Sequence, residues 1–366
     1  MAATVFTVVT AEMLPVGLLT PMSESLHVTD GAAGLALTAT GVTSAVAAPV
    51  LPLVLGRLDR KAVLGGLMVL LAASAFAAAI TSSFLVLILT RILMGISIGG
   101  VWLLTVSLAR RVVPPHAAGL ATSLIFSGIG IASVLGIPAG AYVGELAGWR
   151  WAFAGVGVLA LALSVALSIY LPSLPPERAV RLCDVREVLR LHQVRVGLVL
   201  VALIVTGHFA AYTYVRPLLE PHIAPALIGA FLLAYGVAGV LGNFLTGTLR
   251  PTRALTLIAT GIALTALAMP IVGTTAIGAL GLLVIWGLAY GGTTVSTQAW
   301  AHAAAPSAPE SSSAVLVGMF NGSIALGAFT GGQVADHFGT PTVTWLPAVL
   351  ATVALVVLYV TRVRAE

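Results

Sequence analysis

The stretch that decides the fold is GIPAGAYVGELAG, from Gly136 to Gly148, read beside GAFTGGQVADHFG, from Gly327 to Gly339. At an offset of 191, Gly136, Gly140, Val143, Glu145 and Gly148 fall on Gly327, Gly331, Val334, Asp336 and Gly339. The register holds outward from this pair. Gly95, Gly99 and Gly100 fall on Gly287, Gly291 and Gly292 at an offset of 192, and Gly56-Arg57-Leu58 meets Gly247-Thr248-Leu249 at 191. One shared glycine carries little weight, but three regions agreeing to within one residue indicate an internal duplication. The chain reads as one unit written twice.

Composition says what kind of unit it is. Of the 366 residues, 59% are hydrophobic and only 8% charged, against about 25% charged in a soluble domain. So few charges cannot cover a water-facing surface, and lipid must be the solvent for most of the chain. In a bilayer core the backbone is confined to helices or a closed barrel, because nothing else satisfies its N–H and C=O groups. Barrel strands alternate apolar and polar residues, whereas runs such as 62–82 and 151–171 are apolar on every face. The fold class is therefore an all-α membrane protein.

A helix needs about 20 apolar residues to cross the bilayer. Punctuation by charges, Pro and Gly predicts twelve spans: 2–22, 31–55, 62–82, 84–109, 116–143, 150–171, 196–219, 225–249, 254–274, 276–299, 309–333 and 340–361. The first of these is read as a membrane helix rather than a cleaved leader, since it lacks a basic flank and a cleavage site. With the N-terminus inside, the inner connections and C-terminus carry fourteen Lys or Arg residues, while the outer side carries only Arg150 and Arg216. This asymmetry predicts that both termini are cytoplasmic. Residues 1–171 and 196–366 then form two parallel six-helix halves, with a cavity expected between them near the midplane. The connection 172–195 places Leu182, Val185, Val188 and Leu189 at helical spacing among arginines, and so predicts an amphipathic helix at the inner lipid surface.

Several function classes drop out. The net charge of +5 is spread over short gaps between apolar runs, without the clustering that nucleic acid requires. Cys183 is the only cysteine, so neither an internal disulfide nor a cysteine metal site can form. There is no G-x-x-x-x-G-K-[ST] loop for ATP, and no HExxH for an intramembrane metalloenzyme. Channel-type pore repeats are also absent. Secondary transport of a small molecule remains.

The repeat and its motifs resemble the major facilitator superfamily, in its drug:proton antiporter branch, over essentially the whole chain. The loop Gly56-Arg57-Leu58-Asp59-Arg60-Lys61 is similar to the family's gating loop, in which Gly56, Asp59, Arg60 and Lys61 would act, although the family's second glycine is missing. Arg91-Ile92-Leu93-Met94-Gly95 fits the family's Arg-x-x-x-Gly signature, whose arginine is linked to proton coupling. Gly136, Pro138 and Gly140 match the glycine-proline motif associated with antiporters. The segments AEMLPVGLLTPM (Ala11 to Met22), TYVRP (Thr213 to Pro217) and GWR (Gly148 to Arg150) are similar to bacterial efflux carriers for sugars and purine ribonucleosides. The resemblance implies a monomeric, cofactor-free carrier that exchanges protons for a small organic substrate.

Glu12 is the one acid in the interior of a predicted span, and a charge there costs about 2.5–3.5 kcal/mol on insertion scales. At 1.5 Å per residue it lies ~14 Å deep, and Arg91 lies ~10 Å below the opposite boundary, so the two can meet. Three readings stay open: a proton-exchanging carboxylate, a permanent structural ion pair with Arg91, and a direct substrate contact. His208 with Tyr212, and Trp286 with Tyr290, share helix faces at four-residue spacing and are candidates to bind a base or sugar, as is Asn321. Lone membrane histidines and aromatics also serve simply as helix packing. Arg216 and Trp149 are expected at the outer lipid interface.

Overall fold

A computed structural model describes residues 1–55, 58–112, 118–174, 182–306 and 308–363. Gly56, Arg57, Arg178, Arg181 and Arg364, which entered the sequence reading, lie outside the described residues. The helices are α1 (Ala2–Leu26), α2 (Asp30–Leu55), α3 (Arg60–Ile80), α4 (Phe84–Val112), α5 (Ala118–Ile131), α6 (Ile137–Ala147) and α7 (Trp149–Tyr170) in the first half. A short α8 (Leu182–Arg190) follows. The second half holds α9 (His192–Tyr212), α10 (Val215–Leu219), α11 (Pro225–Gly247), α12 (Pro251–Val272), α13 (Ala276–Gly291), α14 (Thr293–Ala304), α15 (Pro309–Phe338) and α16 (Trp345–Val363). Among the described residues, twelve stretches are long and apolar enough to cross a membrane. The start of α1, the end of α16 and α8 lie at one end of the bundle, called here the terminal end; the α1–α2 and α9–α11 connections lie at the distal end.

Local chemistry sets the helix ends. Pro225, Pro251 and Pro309 open α11, α12 and α15, where a missing N–H costs nothing. Asp59 caps α3 by accepting from the Lys61 amide at 2.8 Å. The same carboxylate accepts from the Leu174 amide at 3.1 Å and from the Ser173 hydroxyl. These hydrogen bonds, that from Ser173 foremost, hold Asp59 below the ordinary aspartate pKa and tie the tail of α7 to α3.

The duplication is visible as packing. Gly148 and Gly339, partners at the repeat offset, are the positive-φ glycines among the described residues, at 94° and 88°. Each makes the tight turn from a half's fifth span into its sixth, a conformation that a Cβ disfavours. The other paired glycines mark close helix approaches. Gly95 and Gly99 lie against main-chain carbonyls of α2, and their partners Gly287 and Gly291 against carbonyls of α11. Gly136 and Gly140 abut Thr10 and Leu14 of α1, and Gly327 and Gly331 abut carbonyls of α9. A Cβ at any of these positions would collide, so the small side chain is what lets the helices meet. Accordingly α1 and α9 are the most thoroughly buried spans of their halves. Large apolar side chains such as Leu85, Tyr170, Phe244 and Ile277 face outward instead, as a lipid-facing surface requires.

The structure departs from the predicted spans in three places. The fifth span is broken by a π-helical turn at Ala132–Gly136, just before Pro138, whose ring cannot follow a regular helix. The tenth is divided at Gly292 into α13 and α14. The seventh ends at Tyr212, not at 219: Thr213 and Tyr214 form a corner, and α10 folds back as a separate piece. Arg216 is consequently not an interfacial anchor. It is buried at 3% exposure, and Trp149, also 3% exposed, donates from Nε1 to Ser25 Oγ at 2.7 Å.

Candidate substrate and coupling site

The centre of the site is α1. Pro15 lacks an N–H, so the carbonyl of Ala11, four residues earlier, has no helical donor. Arg91 of α4 fills that place from outside: its Nη1 donates to Ala11 O at 2.8 Å. The same guanidinium donates from Nη2 to Glu12 O at 2.9 Å and from Nε to Ala36 O of α2 at 3.1 Å. Nη1 also lies 3.2 Å from Met94 Sδ, and the Phe153 ring sits 5.9 Å from Cζ. Arg91 is entirely buried, and its donors go to main-chain carbonyls of two neighbouring helices.

The Glu12 carboxylate is therefore not clasped by Arg91. The two side chains are close enough to attract, but the hydrogen bond runs to the Glu12 carbonyl, and Glu12 Oε1 has no hydrogen-bond partner. Glu12 is 3% exposed and within electrostatic reach of Tyr290 in the opposite half. The packing that Arg91 secures among α1, α2 and α4 therefore does not run through the Glu12 side chain.

Across from α1, the second half presents a cluster of rings. His208 of α9 stacks on Tyr290 of α13 with centroids 3.4 Å apart and planes inclined by 8°. Tyr212 stacks on the same imidazole at 4.8 Å, and Trp286 meets it edge-on at 5.4 Å. Tyr235 of α11 completes the group, 4.7 Å from Tyr212, with its hydroxyl 3.5 Å from His208 Nε2. Four-residue spacing brought His208 to Tyr212 and Trp286 to Tyr290, and the fold joins the two pairs. Three buried polar atoms in the cluster have no protein partner: His208 Nδ1, Trp286 Nε1 and Tyr290 Oη. Groups of this kind at mid-membrane depth are expensive to leave unmatched.

The other predicted residues lie elsewhere. Asn321 lies on α15, buried, and donates from Nδ2 to Val317 O of its own helix at 3.0 Å. Its carbonyl backs Gly41 of α2, which places it on the seam between halves rather than among the rings. In the α2–α3 loop, Asp59 and the Arg60 amide, which donates to Leu174 O at 3.0 Å, make contacts inside one half, and Lys61 borders the same corner. Pro138, with Gly136 and Gly140, sits where the fifth span touches both halves: its carbonyl backs Gly229 of α11 while the glycines face α1. Sequence reasoning missed Tyr235 and the acceptor left by Pro15. The second was legible in principle, since any mid-helix proline frees the carbonyl four residues before it.

Comparison with known proteins identifies the family and the fold. The sequence profile described as Major Facilitator Superfamily matches residues 1–328. The chain is 30% identical over 334 residues, covering 90% of it and 84% of the relative, to the purine ribonucleoside efflux pump NepI of Escherichia coli O6:K15:H31 (strain 536 / UPEC). The NepI of Shigella sonnei (strain Ss046) matches with the same identity and coverage. Among solved structures, a mutant of the nucleoside transporter NupG superposes with a TM-score of 0.75 at 12% identity, covering 98% of both chains. A bacterial homolog of the human lysosomal transporter Spinster, inward-facing and occupied, gives 0.73 at 14% identity, covering 98% of this chain and 95% of that one. At those identities the structures speak for the fold alone, while the profile and the relatives speak for descent. This chain, two six-helix repeats that meet along α2 with α15 and α6 with α11, is a membrane transporter belonging to the major facilitator superfamily.

Proposed function

We propose that the protein exports purine ribonucleosides, or molecules that likewise join a flat heterocycle to a sugar, in exchange for protons. The observation that carries this is the set of stacked rings with unpartnered donors and acceptors opposite Glu12. A heteroaromatic base can stack on such rings and occupy those polar atoms, each stacking contact being worth about 1–3 kcal/mol. Identity to purine ribonucleoside efflux pumps supports the same substrate class.

Glu12 is the proton site in this reading, with Arg91 holding α1, α2 and α4 in place around it. When Glu12 is charged, its attraction to Arg91 and the polar rings favours one arrangement of the site. When it is protonated, that attraction is lost and the substrate competes on different terms. Permanent pairing with Arg91 is the weaker reading, because the arginine donors point at carbonyls. The glycine and proline positions of the fifth span provide the surface over which the halves rock, and the basic asymmetry supports cytoplasmic termini.

The test uses purified protein in liposomes. With an inward proton gradient imposed across the membrane, labelled inosine, guanosine or adenosine should move against its own gradient, and protonophore should stop it. Transport that is unchanged by protonophore would overturn the coupling; the absence of purine transport alongside transport of an unrelated drug would overturn the substrate class.

A further inference from the structure

We propose that Glu145 and Asp336, the acids that the repeat places in equivalent positions, form the two arms of a latch that holds the distal end of the transporter closed. Each lies near the end of its half's fifth span, and each reaches across to the opposite half. Glu145 of α6 accepts from Arg216 Nη2 of α10 at 3.1 Å. Asp336 of α15 accepts from the Thr29 hydroxyl at 2.8 Å and from the Gly31 amide at 2.9 Å, in the first turn of α2. The partners correspond in place, since Arg216 lies between the first and second spans of its half while Thr29 and Gly31 stand where the second span of the other half begins. The contact is thus made twice, once in each direction.

The Arg216 arm is built into α1. Pro21 has no N–H, so Gly17 O lacks its helical donor, and Arg216 Nη1 occupies it at 2.8 Å. Arg91 does the same for Pro15 deeper in the span. Arg216 is held on its own side by Glu220, whose Oε1 accepts from Nε at 2.7 Å. The second arm is tight for a related reason: Gly31, Gly34 and Gly332 leave no room for a Cβ, because Asp336 and Tyr214 fill the space. On the α1 side the corner is pinned by Ser23, which donates to Asp30 at 2.6 Å. For a carrier to release substrate at this end, α10 must leave α1 and α6, and the end of α15 must leave α2. Those movements break the named bonds and no others among the charged groups described there.

Each arm is a modest contact. Glu145 and Asp336 are partly open to water, so each contributes as a screened contact and not as a buried ion pair. Removal of one arm should raise the open-to-closed ratio roughly two- to tenfold, the range for a single net hydrogen bond. Glu145→Ala leaves Arg216 with Glu220 and Gly17 O, so no buried charge is stranded.

The experiment is a spin-label distance across the distal end. Ser82→Cys and Thr274→Cys, both exposed and in opposite halves, are labelled in a Cys183→Ala background and reconstituted in lipid. Glu145→Ala, Asp336→Ala and the double variant are compared with the parent by double electron–electron resonance. The expected result is a longer-distance population that grows in each single variant and is largest in the double. An unchanged distribution in both single variants would overturn the latch, as would a double variant no more open than the stronger single one. Should the double variant accumulate poorly, the two singles decide.

Discussion

Arg91 and Pro15 should behave as one unit, and a double-mutant cycle can measure it. Arg91→Met removes the donors at Ala11 O, Glu12 O and Ala36 O together. Breaking such a buried charged group costs about 3–5 kcal/mol. The three acceptors are not alike, however. Glu12 O and Ala36 O belong to regular helix and keep the amides of Val16 and Thr40 as donors, whereas Ala11 O faces a proline and keeps none. Leaving that carbonyl unmatched accounts for about 1–3 kcal/mol of the loss. Pro15→Ala introduces the missing amide, so in the Arg91→Met background it should recover about that amount. Beside an intact Arg91 the same change should gain much less, because the carbonyl is already satisfied. Helicity followed through SDS titration in mixed micelles gives the four stabilities. A coupling energy of about 1–2 kcal/mol is expected; strictly additive effects would refute the argument that Arg91 substitutes for the proline's absent amide.

Other outcomes follow from the same geometry. Gly291→Ala, which drives a Cβ into the Gly239 carbonyl, should cost about 1–3 kcal/mol, whereas Gly281→Ala, with open space around it, should stay within about 0.5 kcal/mol; thermal melts compare them. Trp286→Phe keeps the ring but deletes the unpartnered Nε1 donor, so purine affinity in a binding assay should fall roughly tenfold with little change in stability, since a lost hydrogen bond to ligand is worth about 1.4 kcal/mol. Single cysteines replacing Leu58 and Arg253 should resist impermeant reagents in intact cells while one replacing Ser82 reacts; the reverse pattern would invert the proposed topology.

Much of the architecture was legible because a duplication constrains itself twice. Gly148 and Gly339 stand 191 residues apart and adopt nearly the same φ, and the glycines of the fourth and fifth spans find their counterparts doing the same packing. Span ends were read less well at the corner after Tyr212. Arg216 and Pro217 do interrupt the apolar run there, but an arginine near a span's end also reads as an interfacial anchor, and the turn at Thr213 and Tyr214 and the burial of Arg216 are visible only in the tertiary contacts. The ring cluster divides in the same way. That His208 and Tyr212, and Trp286 and Tyr290, share a helix face was readable from four-residue spacing, because neighbours on one helix face are fixed by the helix itself. Tyr235 was not, since its place beside them depends on how α11 packs. Depth put Glu12 and Arg91 within reach of each other, but which oxygen receives the guanidinium depends on where Pro15 leaves a free carbonyl.

The central claim is that Glu12 exchanges a proton, and Glu12→Gln tests it most directly. The substitution keeps the side chain's size and leaves every Arg91 hydrogen bond in place, because those bonds reach the main chain. Loss of its attraction to Arg91 is offset by relief of a buried charge, so stability should change by about 1 kcal/mol or less. In liposomes the variant should still exchange labelled purine nucleoside between equal pools, yet fail to accumulate it when a proton gradient is imposed. Uphill transport at the parental level by Glu12→Gln would contradict the account.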